Sequence, residues 1–368
     1  MKKSKVLIIG AGLQARSIAY DILKRHKNNN ISELTLVDIS HQVLSDTQEF
    51  LKDIDSTVKL NTYLTDGNPE SLTEFFKLSD IVVGCSSYKH NEVLTKYSIK
   101  NGCHFVDLGG NNTVVAKQKS LSEKAKENNV SIIPDCGLAP GMVNILGSHY
   151  AKNNPKSLNV YVGGIPQEPK NTLGYELVFS VTGLVNEYIE DCYIKNGGKV
   201  QMTESLTGHQ TIQPFGKYSK LEAFRTSGGI SQMTEYLGNV DNMEYKTIRY
   251  SGHRDKILLM KELNLFSPEN RDKTEQSLES LLAPMGEDVV LARIEETTQD
   301  DKVILHDLVI EPRFGLSAMQ VATGFSAASI VEMLAKEEIT ARGTLSQEVD
   351  IPQEDYIQQL SDRDIEFT

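Results

Sequence analysis

The sequence predicts an α/β protein: a Rossmann-type, doubly wound parallel sheet interrupted by a second domain of α+β texture. Three observations carry this. Residues Lys5 to Ala15 read as an apolar strand that runs into a GxGxxA turn and then a helix. Strand and helix patterns alternate from there to Ile133. Beyond residue 141 short strand patterns separated by turns replace that alternation, until helical spacing returns after Gly315. The expected division is residues 1–140 with 315–368 as one discontinuous dinucleotide-binding domain, and 141–314 as the other.

Val6 to Ile9 is aliphatic throughout, as suits a strand buried on both faces. In the turn that follows, Gly10 permits the tight bend, Gly12 lets a pyrophosphate approach the backbone, and Ala15 lets helix and strand pack closely. The anion would sit on the helix N-terminus, at Leu13, Gln14 and Ala15, where amide donors lack intrahelical acceptors. A purely structural glycine turn is the plain alternative. Leu34 to Ile39 reads as a second strand, with Asp38 placed to accept from the ribose hydroxyls of adenosine. Asp38 would repel a 2′-phosphate and Ile39-Ser-His41 offers no arginine to hold one, so the expected cofactor is NAD rather than NADP.

A helix around 41–54 and a strand Val58–Leu64 follow, ending at Thr65-Asp66-Gly67. Asp66 is a candidate for the adenine edge, and equally a turn residue. After a helix Ser71–Leu78, the fourth strand is Asp80–Cys85. Ligands of open α/β sheets lie outside the carboxyl ends of strands, so Cys85, Ser86 and, after strand His104–Leu108, Gly109 are expected beside the cofactor. Helices Asn91–Asn101 and Val114–Asn128 and a strand Val130–Ile133 complete the alternation, which breaks at Pro134–Gly141. In the second region Leu158–Gly164, Leu177–Ser180, Cys192–Lys195, Lys199–Met202, Tyr245–Tyr250 and Val289–Glu295 read as strands. Asp255–Leu265 and Gln276–Leu282 read as helices, and Ser267–Glu275 as a charged loop. Leu316–Leu334 reads as a helix rich in small residues that returns to the first domain.

At 368 residues the chain exceeds one compact core, and its net charge of −12 argues against a nucleic-acid partner. No run reads as a membrane span, and the basic start leads through a short apolar core directly into the glycine turn, as a first strand rather than a signal peptide. Cys85, Cys103, Cys136 and Cys192 are too scattered for a metal cluster, so reduced thiols in a cytoplasmic protein are expected, and no metal.

Ser87-Tyr-Lys-His90, Asp135–Asn144 with its GLxPG core, Val178–Tyr188, Glu222–Ile230 and Lys246–His253 together resemble the saccharopine dehydrogenase-like oxidoreductases, most closely their NAD-dependent lysine 6-dehydrogenase branch. Arg225 stands where that pattern has an aromatic residue or histidine, and Ser251 where it has proline. The resemblance implies a split Rossmann domain closed by the C-terminal helix, an inserted substrate and dimerisation domain, and a homodimer. It also implies oxidation of an amine carbon of an amino acid substrate: hydride leaves the ε-carbon of lysine for NAD, and the imine hydrolyses to allysine. Relatives of the saccharopine type act instead on a secondary amine, and a catalytically idle NAD-binding regulator is a third reading.

Hydride loss needs a neutral amine, whereas a lysine ε-amine of pKa ~10.4 is mostly protonated at neutral pH. A base titrating near pH 7 suits that task. On the segments the resemblance brings to the active site the candidates are His253 first, then His90 and Asp135, with Asp135 also able to stabilise the iminium. Tyr88 is a candidate for stacking by the nicotinamide. For the carboxylate, Arg225 and Arg249 offer a clamp and Thr226 a hydroxyl, and Glu187 is a candidate for the α-ammonium.

Overall fold

The computed structural model describes residues 2–109, 111–230 and 232–368. The chain divides into two compact units, one comprising Met1–Ile145 with Gln320–Asp364 and the other Leu146–Met319 with Ile365–Thr368.

The first unit holds a parallel sheet in the order Gly343–Thr344, Ser131–Ile133, His104–Asp107, Ile81–Gly84, Ser4–Ile9, Ile31–Asp38, Lys59–Leu64. The first strand of the chain is thus central, and strand order reverses beside it, between Ser4–Ile9 and Ile81–Gly84. That reversal opens a crevice at the carboxyl ends of the strands. Val6, Leu7 and Ile8 are buried because both faces of the sheet are covered. The helices start where polar side chains can take orphan amides: Ser40 accepts from Val43 ahead of helix His41–Leu51, and Asn111 from Val114 ahead of Asn112–Lys119. The single helix expected over Val114–Asn128 is two, Asn112–Lys119 and Ser122–Glu127. Ser120 lies at the break, where its hydroxyl bonds the carbonyl of Lys117 at 2.6 Å.

Helix Ala318–Ala335 begins at the very end of the second unit and runs into the first. By length and composition it could span a membrane, contrary to the expectation that no run would. It is 89% buried, and Val321, Ala322, Ala327, Ala328, Ile330 and Val331 place it in a protein core. A buried ion network fastens it within the first unit. Arg363 Nη2 reaches both Asp21 of helix Leu13–Lys24 (2.7 Å) and Glu332 (2.8 Å), and Arg25 Nε bonds Glu332 at 3.0 Å.

The second unit is built on a mixed sheet in the order Gln210–Thr211, Leu221–Arg225, Asn242–Tyr250, Ser157–Pro166, Asp288–Thr297, Val303–Ile310. A hairpin of Cys192–Asn196 and Lys199–Thr203 attaches to Asn242–Tyr250. Strands Leu221–Arg225 and Val303–Ile310 were not distinguished in the sequence. The strand expected at Leu177–Ser180 is absent. Ser180 instead caps helix Val181–Ile189 by accepting from the Gly183 amide, and Leu177, Val178 and Phe179 pack beside Leu184, Val185 and Tyr188. The charged loop expected over Ser267–Glu275 turns helical at Arg271. An Arg271–Glu275 pair at 2.6 Å braces helix Arg271–Leu281, whose Thr274 and Leu278 face inward.

Candidate functional site

Each unit carries one cluster of the sequence-predicted residues. In the first unit, Gly10 has φ +93°, and a Cβ there would lie 2.9 Å from the backbone of Cys85 and Ser86. That close approach is what brings the glycine turn against the end of strand Ile81–Gly84. Gly12 differs: a Cβ there would meet nothing within 4 Å, so the space over the start of helix Leu13–Lys24 is open. Gly12 is the N-cap of that helix and offers no side-chain acceptor, leaving the amides of Leu13, Gln14 and Ala15 facing a gap suited to an anion. Asp38 accepts from the amides of Ala11 (2.7 Å) and Ser40 (2.8 Å) and so ties the glycine turn to the end of the second strand.

Other expected cofactor contacts are placed as follows. Asp66 is exposed and accepts from the Asn68 amide (3.0 Å) and the Ser71 hydroxyl (2.5 Å), a turn arrangement complete in itself. Ser86 and the half-buried Cys85 follow the fourth strand, and burial pushes the Cys85 thiol up, so it is not a thiolate at neutral pH. Exposed His90 meets Ser86 Oγ at 3.3 Å, in the short turn with half-buried Tyr88 that leads into helix Asn91–Asn101. Gly109 has φ +76°, and a Cβ there would lie 2.1 Å from Asp135 Oδ1, so the Asp135 carboxylate sits directly over it. Asp135 is buried in left-handed backbone, φ 63°, after the last strand before the Pro134–Gly141 bend. Below it Asp107, buried, accepts from the Gly109 amide (2.8 Å) and Gln118 (2.6 Å) and fixes this corner.

The second cluster is a buried polar group on one face of the mixed sheet. Alternation along a strand sends Tyr245, Thr247 and Arg249 to that face and Glu244 and Lys246 to the other. Arg225 pairs with Lys246 in register, so it shares the second face. It bonds Glu244 Oε2 at 2.8 Å there, beside a cavity of about 440 Å³ lined also by Lys156 and Lys195. Arg225 and Arg249 therefore cannot clamp one carboxylate, as the sequence had suggested.

On the Arg249 face, helix Val181–Ile189 supplies Glu187 and Tyr188, and helix His253–Glu262 supplies its first residue. Arg249 donates from Nε to the Tyr188 hydroxyl (3.2 Å), from Nη1 to the Ile248 carbonyl (2.9 Å) and from Nη2 to Glu187 (3.3 Å), with its Cζ 4.7 Å over the ring of Tyr175. Thr226 and Thr247 share a hydroxyl contact of 2.7 Å. Burial raises the Glu187 carboxyl to about 7 against the opposing pull of Arg249, although its side chain keeps 25% exposure. Tyr175, Tyr188 and Tyr245 were not singled out in the sequence, since an uncharged phenol among apolar residues reads as core.

His253 is fully buried, with Nδ1 3.0 Å from the Leu173 carbonyl and Nε2 2.9 Å from the Tyr188 hydroxyl. Burial, reinforced by the charge of Arg249, holds its pKa well below the usual histidine value. It is thus neutral at pH 7 and not poised to titrate there, in contrast to the expected base. The sign of its linkage follows. Below about pH 6.5 an unfolded histidine takes up a proton that His253 in the fold refuses, so stability falls on acidification by up to ~1.4 kcal/mol per pH unit. His253→Gln is expected to flatten the decline of Tm between about pH 6.5 and 5. An unchanged slope in calorimetry would show that another group sets it.

Residues 6–133 match the saccharopine dehydrogenase NADP binding domain, and residues 137–365 the saccharopine dehydrogenase C-terminal domain. The chain belongs to the saccharopine dehydrogenase family. Members of this family are NAD(P)-dependent oxidoreductases of amino acids. The chain is 24% identical over 297 residues to alpha-aminoadipic semialdehyde synthase of Arabidopsis thaliana, a match covering 73% of this chain and 27% of that protein. It thus spans about a quarter of that relative's length. Its fold is that of apo saccharopine dehydrogenase (L-Glu forming) from Saccharomyces cerevisiae, with a TM-score of 0.77, 15% identity and 99% of each chain covered. The open space at Gly12 and the uncapped helix start fit the dinucleotide that the saccharopine dehydrogenase family uses. Gly10, Gly12, Leu13, Gln14 and Ala15 would hold its pyrophosphate and Asp38 its ribose.

Proposed function

We propose that this chain is an NAD-dependent dehydrogenase that oxidises the ε-carbon of lysine, a lysine 6-dehydrogenase. The observation that carries the reading is the pairing of Arg249 with Glu187 on one face of the mixed sheet. Arginine suits a carboxylate and an ionised glutamate suits an ammonium, so the pair is a receptor for the zwitterionic head of an amino acid. An α-nitrogen held as ammonium has no lone pair to expel hydride, which leaves the distal amine as the reacting group. NAD, when bound, supplies the hydride acceptor. The substrate loses hydride from the carbon bearing its neutral distal amine, and water converts the resulting iminium to aldehyde and ammonium.

The position of Arg225 supports lysine over a saccharopine-type secondary amine. Saccharopine carries two further carboxylates, and the second arginine that could serve them lies across the sheet, paired with Glu244. The likeness of fold to the yeast saccharopine dehydrogenase favours that second reading. NADH production from lysine, saccharopine, ornithine and carboxynorspermidine decides between them. Turnover of saccharopine in preference to lysine overturns the first reading.

NAD is proposed over NADP because Asp38, oriented by two amides, would meet a 2′-phosphate with like charge. The kcat/KM with NAD is expected to exceed that with NADP on the order of 10-fold or more, and Asp38→Ser is expected to narrow the ratio. A wild-type preference for NADP contradicts the assignment.

A further inference from the structure

We infer that His253 and Tyr188 are positioning residues that aim Arg249 at the substrate carboxylate; the inference rests on the proposed amino acid head-group site. The direction of each hydrogen bond is forced. The Leu173 carbonyl can only accept, so His253 Nδ1 carries the proton and Nε2 is left as an acceptor. The Tyr188 hydroxyl must then donate to Nε2, which leaves its oxygen lone pairs for the Arg249 Nε–H. The chain therefore runs one way, from guanidinium to phenol to imidazole to backbone carbonyl.

This chain is anchored at its far end. Glu222, buried, accepts from the amides of Gly252 (2.8 Å) and Arg254 (2.7 Å), the residues on either side of His253. It caps a helix whose own N-cap, Gly252, has no side chain to do so. The ring of His253 also stacks against Phe224 on the adjacent strand, with centroids 6.2 Å apart. Imidazole and phenol are thus fixed by groups outside the head-group site. Of the five N–H donors of a guanidinium, three are spent on Tyr188, Ile248 and Glu187, leaving two for a carboxylate. A guanidinium held at Nε and at both Nη atoms cannot rotate to present them elsewhere.

Substitutions at His253 separate this role from that of a base. His253→Gln keeps an acceptor for the Tyr188 hydroxyl and cannot titrate; His253→Leu and Tyr188→Phe break the chain. The Gln variant is expected to keep kcat and the pH profile. The other two are expected to raise KM for lysine about 10-fold or more while sparing kcat, and to lower by a similar factor the preference for lysine over 1,5-diaminopentane, which has no carboxylate. Loss of kcat with an ionisation removed in His253→Gln makes His253 a base and overturns the inference.

A second measurement does not depend on the reaction. In 15N–1H spectra of the full chain the Arg249 Nε–H is expected to be protected from exchange in the wild type and in His253→Gln, and to exchange readily in Tyr188→Phe and His253→Leu. Unaltered protection in Tyr188→Phe overturns the inference whatever the enzyme oxidises. Protection that behaves as expected in a protein inert toward every amino acid leaves the chain intact and removes the proposed activity instead.

Discussion

Replacing Glu187 by glutamine is expected to lower kcat/KM for lysine about 10²-fold, almost entirely through KM. Glutamine matches glutamate in size and keeps a carbonyl acceptor, so the packing of helix Val181–Ile189 is retained, and what is lost is the charge that meets an ammonium. A charge-assisted hydrogen bond in a partly buried site contributes about 1.5–3 kcal/mol, which is a factor of roughly 10 to 150. Its pH signature is the more selective readout. The wild-type carboxyl is raised to about 7 by burial, so below that pH it is protonated and neutral. Affinity for the zwitterion should fall as pH drops through 7 and reach a plateau above it. In Glu187→Gln the step should vanish at a uniformly weak affinity. A variant that keeps the step assigns it to another group, and one that loses kcat rather than affinity gives Glu187 a part in the chemical step.

The second large effect concerns stability. Arg363→Met is expected to destabilise the first unit by about 3–5 kcal/mol, the usual cost of removing one partner from a buried ion pair. The guanidinium of Arg363 is buried, and its loss leaves Asp21, also buried, without the three contacts of 2.7 to 3.1 Å that now neutralise it. Glu332 would lose one partner while keeping Arg25 and Lys336. Burial works against the charge of Glu332, but the hydrogen bond from Arg25 and the field of Arg363 outweigh it and hold the carboxyl at about 2. The expected readout is a fall on the order of 10 °C in the melting step assigned to the nucleotide-binding unit. Because Asp21 lies on the helix that opens at Gly12, weaker dinucleotide binding should accompany it. A shift of only a degree or two would mean that water or a neighbouring chain segment replaces the lost charge.

The two halves of this protein were unequally legible. The glycine turn, the acid at Asp38 and the alternation of strand and helix are local patterns. Each is set by residues within a few positions of one another, so the parallel sheet could be read directly from the chain. Leu177–Ser180 shows where that reasoning fails: an apolar run has strand character alone, yet Ser180 had an amide to cap and a helix to start. Ser267–Glu275 failed in the opposite sense, since charge suggested a loop where an i,i+4 pair braces a helix.

In the polar cluster around Arg249 the sequence offers the candidates Arg225, Arg249, Thr226 and Glu187, but local pattern cannot say which of them share a face. Arg225 and Arg249 look equivalent as residue types, and only strand register tells them apart, because side chains alternate between faces and pairing with Lys246 sends Arg225 across the sheet. His253 looked like a base because histidine in water titrates near neutrality, but Leu173 and Tyr188 occupy both its nitrogens, and burial excludes the proton. Glu187 stands out in the sequence as a candidate for the α-ammonium, but its titration does not: burial raises it to about 7, where a histidine is expected. Short-range chemistry along the chain therefore gave the cofactor fold, whereas the protonation states and the sharing of a face depended on contacts between residues tens of positions apart.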